Sequence, residues 1–93
     1  MKYVLIIYEV EDYAHWKAGF DRAAALRKAA GEIEYQLLRS DQDARRIVHY
    51  SRWDSHEAAR TFFESDEVAA IRDELGVQSP EFVYLEELEN AKP

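Results

Sequence analysis

The chain has no cysteine, and only three glycines and two prolines occur among its 93 residues. Without cysteine there is no disulfide framework and no thiolate metal site. Its longest apolar run, residues 3–8, is too short for a signal peptide core with a cleavage site and far below the ~20 residues of a membrane span. We therefore expect a soluble, cytoplasmic protein whose fold depends on packing alone.

Positive charge is also scarce. The chain has 19 acidic against 12 basic residues, giving a formal net charge of −7 at pH 7. This excess repels phosphate backbones and anionic lipid headgroups, which argues against nucleic acid and membrane surfaces as partners. Hydrophobic residues nevertheless make up 47% of the sequence. A chain of this length has only a small core of its own, so the surplus favours self-association.

The periodicity predicts six elements in one domain spanning residues 1–93. An unbroken apolar run indicates a strand buried on both faces, and Gly31 ends the helix that follows. The next strand alternates, with Ile33, Tyr35 and Leu37 on one side and Glu32, Glu34 and Gln36 on the other. The predicted order is strand 3–8, helix 13–30, strand 32–39, strand 45–53, a helix from 55 that breaks near 65 and resumes to 75, and strand 81–89.

This βαββαβ order is typical of the ferredoxin-like α+β fold, an antiparallel four-stranded sheet of order 4-1-3-2 with both helices on one face. The first and third strands are then central. Their second apolar face would be exposed in a single subunit, which monomers rarely tolerate. We expect a homodimer that packs the two sheets face to face. The alternative is a monomer whose outer face is covered by long Lys, Arg and Tyr side chains.

Two segments carry a family resemblance: residues 10–31, with Tyr13-Ala14-His15-Trp16, and residues 53–63, with Trp53-Asp54-Ser55-His56-Glu57-Ala58-Ala59. They resemble the dimeric α/β-barrel superfamily of antibiotic-biosynthesis-monooxygenase-like proteins, many of which are assigned only as cyclases. The resemblance implies a dimeric α/β barrel. It also implies a cofactor-independent monooxygenase or cyclase acting on a small aromatic or polyketide-like molecule.

The chain departs from that family at two places. Several catalytic members have a histidine in the second helix, near the positions of Phe62 and Phe63 here. The Asn, Trp and His set of the haem-degrading members is not recognisable, because the only asparagine is Asn90. We therefore expect no haem and no other cofactor.

Other proteins with the same element order are disfavoured by the residues themselves. The third strand lacks the glycine and the aromatic spacing of an RNA-reading strand. No Cys-x-x-Cys pair exists for a soft metal, and the turn at residues 9–12 is acidic and lacks glycine, so it would not hold a phosphate.

His49 and Arg27 are the candidate catalytic residues. His49 lies mid-strand among apolar residues, where a neutral imidazole can act as a base, or is simply a core histidine bonded to a neighbour. Arg27 falls inside the apolar arc of the first helix, where it can bind a carboxylate or enolate. Alternatively its stem covers apolar surface and its head extends past the helix end. His15 and His56 are predicted to face solvent, and no two histidines have metal-ligand spacing on one helix, so no metal is expected.

Four aromatic residues are candidates for the walls of a flat apolar pocket: Trp16, Phe20, Tyr35 and Tyr50. Each can equally be part of the core. Glu32, Glu34 and Gln36 are predicted to form a polar patch at a sheet edge or within the barrel, with edge protection the simpler interpretation. The residues thus leave three possibilities open. The protein is an enzyme on a small aromatic ligand, a non-catalytic module that binds a small molecule or a protein, or a dimer whose cavity is fully packed and has no small-molecule role.

Overall fold

The computed structural model describes residues 2–93 and contains one antiparallel four-stranded sheet of order β2-β3-β1-β4, as predicted. No helix within the described residues is long and apolar enough to span a bilayer. The elements are β1 (Lys2–Val10), α1 (Tyr13–Arg22), α2 (Ala24–Ala30), β2 (Glu32–Arg39), β3 (Arg46–Trp53), α3 (His56–Phe63), α4 (Asp66–Glu74) and β4 (Val77–Glu86).

The core lies between the helices and one face of the sheet. On the two central strands burial alternates with a period of two, so the even-numbered residues of β1 from Val4 onward and the odd-numbered residues of β3 are buried under the helices. Val4, Ile6, Ile47 and Trp53 form its centre, each 2% exposed or less. The prediction that the first and third strands are central is therefore confirmed.

The predicted helix over residues 13–30 is two helices. Asp12 caps α1 by accepting a hydrogen bond from the His15 amide, and α1 ends at Arg22. Ala23 separates the two helices, and Gly31, with φ at +127°, ends α2 as expected. The prediction of one continuous helix was wrong. The hydrophobic periodicity does not reveal a break when the apolar sides of both helices still face the sheet.

The second helical region is broken where the sequence predicts it. The Ser55 hydroxyl accepts a hydrogen bond from the Ala58 amide and starts α3, and the Ser65 hydroxyl accepts one from the Val68 amide and starts α4. No residue of α4 is fully buried. The last helix therefore covers the core without being enclosed by it.

A bulge in β2 changes which residues face the helices. Glu32 pairs with Trp53 but Glu34 pairs with Arg52, so Ile33 is an extra residue between them. Glu32 consequently lies on the helix side, whereas Ile33 is 49% exposed. The predicted alternation that placed Glu32 with Glu34 and Gln36 was wrong at this one residue.

The last strand begins at Val77, earlier than the predicted Glu81, and ends at Glu86 rather than Glu89. Its pairing with β1 shifts register between Ile7 and Glu9, and Ser79 has φ of +46° at that irregularity. The shift accommodates Pro80, which has no amide hydrogen to donate to the ladder. Pro80, which precedes the predicted strand 81–89, therefore lies inside the bulged part of the observed strand.

The sheet face opposite the helices is largely apolar in this single chain. Leu5 lies between Tyr50 and Val83 in the pairing, and Ile7 lies opposite Val48. These residues are only partly exposed, because neighbouring side chains cover one another on the pleated surface. We call this surface the open face, and its residues are Tyr3, Leu5, Ile7, Leu38, Val48, Tyr50, Val83 and Leu85.

Candidate active site

His49 lies at the centre of the helix-covered sheet face and is fully buried. The third strand places it there because every second residue of β3 points toward the helices. Its ring packs edge-to-face against Phe20 and Tyr35, with centroid distances of 5.0 and 5.6 Å. The imidazole is therefore surrounded by aromatic carbon rather than by water.

Glu32 joins His49 to Arg27. One carboxylate oxygen, Oε2, is 2.8 Å from His49 Nε2, and the other, Oε1, accepts a hydrogen bond from Arg27 Nε at 2.9 Å. The side chains of Glu32 and Arg27 are 6% and 4% exposed. A carboxylate and a guanidinium are tolerated at such depth only when they are paired and hydrogen-bonded, as they are here.

Arg27 has a second hydrogen-bond partner near the helix break at Ala23. Arg27 Nη1 donates a hydrogen bond to the carbonyl oxygen of Phe20 at 2.6 Å, within the last turn of α1, where carbonyls lack helical partners. The guanidinium also lies over the Phe20 ring, 3.6 Å from its centroid. Arg27 thus points inward, and the hypothesis that its head extends past the helix end was wrong.

The electrostatics of the site favour a neutral imidazole. Burial lowers the pKa of His49, Glu32 opposes that change, and Arg27 adds to it. A neutral ring beside a carboxylate carries its proton on the nitrogen that faces the carboxylate, so Nε2–H donates to Glu32 and Nδ1 keeps its lone pair. The site therefore contains an unprotonated nitrogen base held in one orientation.

Two nitrogens of this network are buried and have no hydrogen-bond partner among residues 2–93: His49 Nδ1 and Arg27 Nη2. Buried polar groups are nearly always satisfied, so each exception points to a bound molecule or water. One of the two is an acceptor and the other is a donor. Of these two residues, Arg27 lines a cavity, whereas His49 lies behind the lining.

A cavity of about 50 Å³ lies between the two helix pairs, with Arg27 at its wall. That is room for about three or four water molecules, well below the ~300 Å³ of a typical ligand pocket. Its walls are mostly aromatic and aliphatic, and the lining includes Tyr8, Trp16, Phe20, Phe63, Arg72 and Leu75. In this conformation the cavity is too small for an aromatic ligand.

A model of the antibiotic biosynthesis monooxygenase family matches residues 11–74, which is most of the chain and includes every residue of the buried network. The chain belongs to the antibiotic biosynthesis monooxygenase family. The suspected relationship is therefore confirmed. No curated protein sequence matches the chain.

Solved structures agree on the fold. SnoaB from Streptomyces nogalater, a cofactor-independent oxygenase, is 18% identical over 96% of this chain and 94% of its own, with a TM-score of 0.77. A protein from Caulobacter crescentus described as a monooxygenase of this family is 23% identical over 95% and 90% of the two chains, with a TM-score of 0.72. At these identities the likeness establishes the ferredoxin-like fold only.

The family fold brings together five of the six residues singled out from the sequence. His49, Arg27, Trp16 and Phe20 are buried on the helix side of the sheet, and Tyr35, although 42% exposed, contacts both Phe20 and His49. Their roles in binding or catalysis stay predictions.

Tyr50 is not part of this group. It lies on the open face and stacks on Tyr3, with ring centroids 5.3 Å apart and planes 7° apart. Because adjacent residues of a strand point to opposite faces, Tyr50 and His49 cannot line one pocket within a single chain.

The other two histidines are near the surface. The ring of His15 is exposed, 3.4 Å from the carbonyl oxygen of Glu74, as expected for a surface residue. His56 Nε2 lies 2.8 Å from the carbonyl oxygen of Leu85. Neither contacts the buried network.

Sequence reasoning missed Glu32 and Tyr8. The signal for Glu32 was available: an arginine inside an apolar helix arc needs a counter-ion, and the first acidic residue after Arg27 is Glu32. Tyr8 was assigned only to a buried strand, although its ring packs on Trp16 at 5.4 Å and lines the cavity.

Proposed function

We propose that this family member is a cofactor-independent monooxygenase that oxidises a small aromatic or polyketide-like molecule, with His49 as the base. The proposal depends on two buried nitrogens, His49 Nδ1 and Arg27 Nη2, which have no hydrogen-bond partner among residues 2–93. Both residues are bonded to Glu32 through their other nitrogens. The similar fold of a cofactor-independent oxygenase supports it.

In the proposed reaction His49 Nδ1 removes a proton from an activated CH₂ group or its phenolic tautomer. Arg27 stabilises the resulting enolate or phenolate oxygen by a charge-assisted hydrogen bond. The electron-rich carbanion then reduces dioxygen. Overall, R₂CH₂ and O₂ give R₂C=O and H₂O: one oxygen atom enters the product, and the other leaves as water with both hydrogens from carbon.

Glu32 acts through the two residues it bonds. Its Oε2 holds the Nε2–H tautomer of His49, so that Nδ1 is the basic nitrogen, and its Oε1 fixes the plane of the Arg27 guanidinium. As the ring gains a proton, the adjacent carboxylate stabilises the imidazolium. Glu32 is therefore a positioning residue in this proposal.

We also propose that the active form is a homodimer joined through the open face. The apolar side chains of that face support this, because water contact with them is lost when a second sheet packs on the first. The dimer would form a closed α/β barrel. A cytoplasmic location stays a prediction.

The test measures oxygen uptake with an anthrone, a fused-ring ketone with an activated methylene, in the metal-free protein. We expect uptake by the wild type, loss of about a hundredfold or more in His49→Gln, and little change in His15→Gln, the matched surface histidine. Uptake that is unchanged in His49→Gln would reject the base assignment.

The small volume of the cavity favours one alternative, a module that binds a small molecule without turnover. At about 50 Å³ the cavity admits an aromatic ring only if the helices move. Ligand binding without oxygen uptake, and with equal affinity in wild type and His49→Gln, would support this alternative.

A further inference from the structure

The cavity next to Arg27 has a second arginine at its wall. Arg72 comes from α4, on the opposite helix pair, and its Nη1 donates a hydrogen bond to the carbonyl oxygen of Phe63 at 3.1 Å. Its guanidinium also lies 5.0 Å from the centroid of the Phe82 ring. These contacts hold the side chain in place over the sheet.

No acidic residue lines the cavity, although the chain carries 19 of them. Glu32 neutralises Arg27, but within residues 2–93 no carboxylate forms an ion pair with Arg72. Burial raises the pKa of the Tyr8 phenol, while Arg72 and Arg27 both oppose that rise. Arg27, Arg72 and Tyr8 all line this small volume, and the phenol stays protonated as a donor.

The rest of the wall is aromatic and aliphatic. Trp16 and Phe20 are in contact at 4.9 Å on one side, and Phe62 and Phe63 at 5.2 Å on the other. Such walls favour a flat ring. Guanidinium groups at the edge of an apolar space favour a carboxylate or phenolate as ligand. Arg27 and Arg72 would both donate charge-assisted hydrogen bonds to it.

We propose that Arg72 is a specificity-determining residue that, with Arg27 and Tyr8, selects aromatic substrates carrying a negatively charged group. The proposal rests on the proposed function, since it concerns the same cavity, and adds that the preferred substrate is an anion. The anionic group lies between the two helix pairs, and the ring lies between the aromatic walls.

Binding of such a ligand requires α4 to move. Leu75, the residue that follows the last turn of α4, rests on Gly19 of α1, with no room for a β-carbon between them. No residue of α4 is fully buried, so displacing this helix costs less than displacing a core element. The ligand then takes the place of the Leu75 side chain at the cavity mouth.

The experiment compares benzoate with benzamide, which has nearly the same shape but no charge, by calorimetric titration at neutral pH. The Gly19 amide resonance reports whether binding occurs at this cavity. We expect wild-type protein to bind benzoate at least about tenfold more tightly than benzamide, and Arg72→Gln to lose that preference. Arg72→Lys, which keeps the charge, should retain part of it.

Arg60→Gln is the matched control. Arg60 is also a helical arginine lying over an aromatic ring of β4, 4.1 Å from the centroid of Tyr84, but it does not line the cavity. The proposal is overturned by equal wild-type affinity for the two probes, by no benzoate binding, or by the same loss in Arg60→Gln as in Arg72→Gln. The wild-type comparison stands even if Arg72→Gln does not fold.

The two proposals can fail separately. If benzoate binds as expected but no anthrone is oxidised, only the oxygenase activity is rejected. If an anionic aromatic substrate is oxidised with the same KM by wild type and Arg72→Gln, only the role of Arg72 is rejected. A raised KM with little change in kcat is the expected outcome for a residue that selects the substrate.

Discussion

Glu32 and His49 face each other at 2.8 Å because a single extra residue in β2 turns the carboxylate toward the helices. Without the bulge at Ile33, the alternation of the strand would place Glu32 on the open face. Arg27 would then be buried without a counter-ion, and His49 Nε2–H without an acceptor. The bulge therefore makes the charged site possible in an otherwise apolar core.

Replacing Glu32 should be costly. Glu32→Gln leaves the Arg27 guanidinium buried and unpaired, and we expect the free energy of unfolding to fall by about 3–5 kcal/mol in urea titrations. Glu34→Gln is the matched control, because Glu34 also accepts from an arginine, Arg52, at 2.9 Å but its side chain is 66% exposed. That change should cost less than about 1 kcal/mol. Equal losses would contradict the role of burial.

Stability should depend on pH through His49. Because burial lowers its pKa in the folded protein, the unfolded chain binds more protons as the pH falls. The stability that depends on neutral His49 is therefore fully present above the histidine pKa of the unfolded chain, about 6.5. It is lost as the pH falls toward the lower pKa that His49 has in the folded protein. Urea unfolding at about pH 7.5 and about pH 5.5 measures it. His49→Gln should reduce the difference, and His15→Gln should leave it nearly unchanged.

The contact between Gly19 and Leu75 predicts a compensating pair. Gly19→Ala adds a methyl group that overlaps the Leu75 side chain, and we expect a loss of about 1–3 kcal/mol in the free energy of unfolding. Leu75→Ala in the same chain should restore part of that loss, because it removes the atoms that clash. Additive losses in the double variant would show that the two helices do not meet as described.

A charge on the open face should separate the proposed dimer. Val48→Lys places an ammonium group beside Ile7, on the central strands of that face. We expect sedimentation at micromolar concentration to change from dimer to monomer while circular dichroism is unchanged. Glu57→Lys, on the helix side, is the control and should remain dimeric. A monomeric wild-type protein would reject the proposed assembly.

The sequence predicted the order of elements well because periodicity reports which side of each element meets the core. It also identified His49 and Arg27, since a titratable residue among apolar neighbours stands out. It did not predict the bulge at Ile33, where pairing of Glu32 with the buried Arg27 guanidinium and the buried His49 imidazole outweighs the exposure of an isoleucine. Long-range pairing of this kind has no local pattern.

The break at Ala23 escaped prediction for a related reason. An alanine-rich segment favours an uninterrupted helix. The break at Ala23 is accompanied by a hydrogen bond from Arg27 to the Phe20 carbonyl, which has no signal in the sequence. Tyr50 illustrates the opposite error, in which an aromatic residue next to His49 in sequence lies on the other side of the sheet. Proximity along a strand and proximity in a site are different properties.

The Arg27 guanidinium donates a hydrogen bond to a carbonyl in the last turn of α1, and Arg27 also lines the cavity. Any molecule that occupies its free nitrogen will therefore tighten or loosen the last turn of α1 as well. Hydrogen exchange rates at the amides of that turn should accordingly change when a ligand binds in the cavity, so these rates report whether the cavity is occupied.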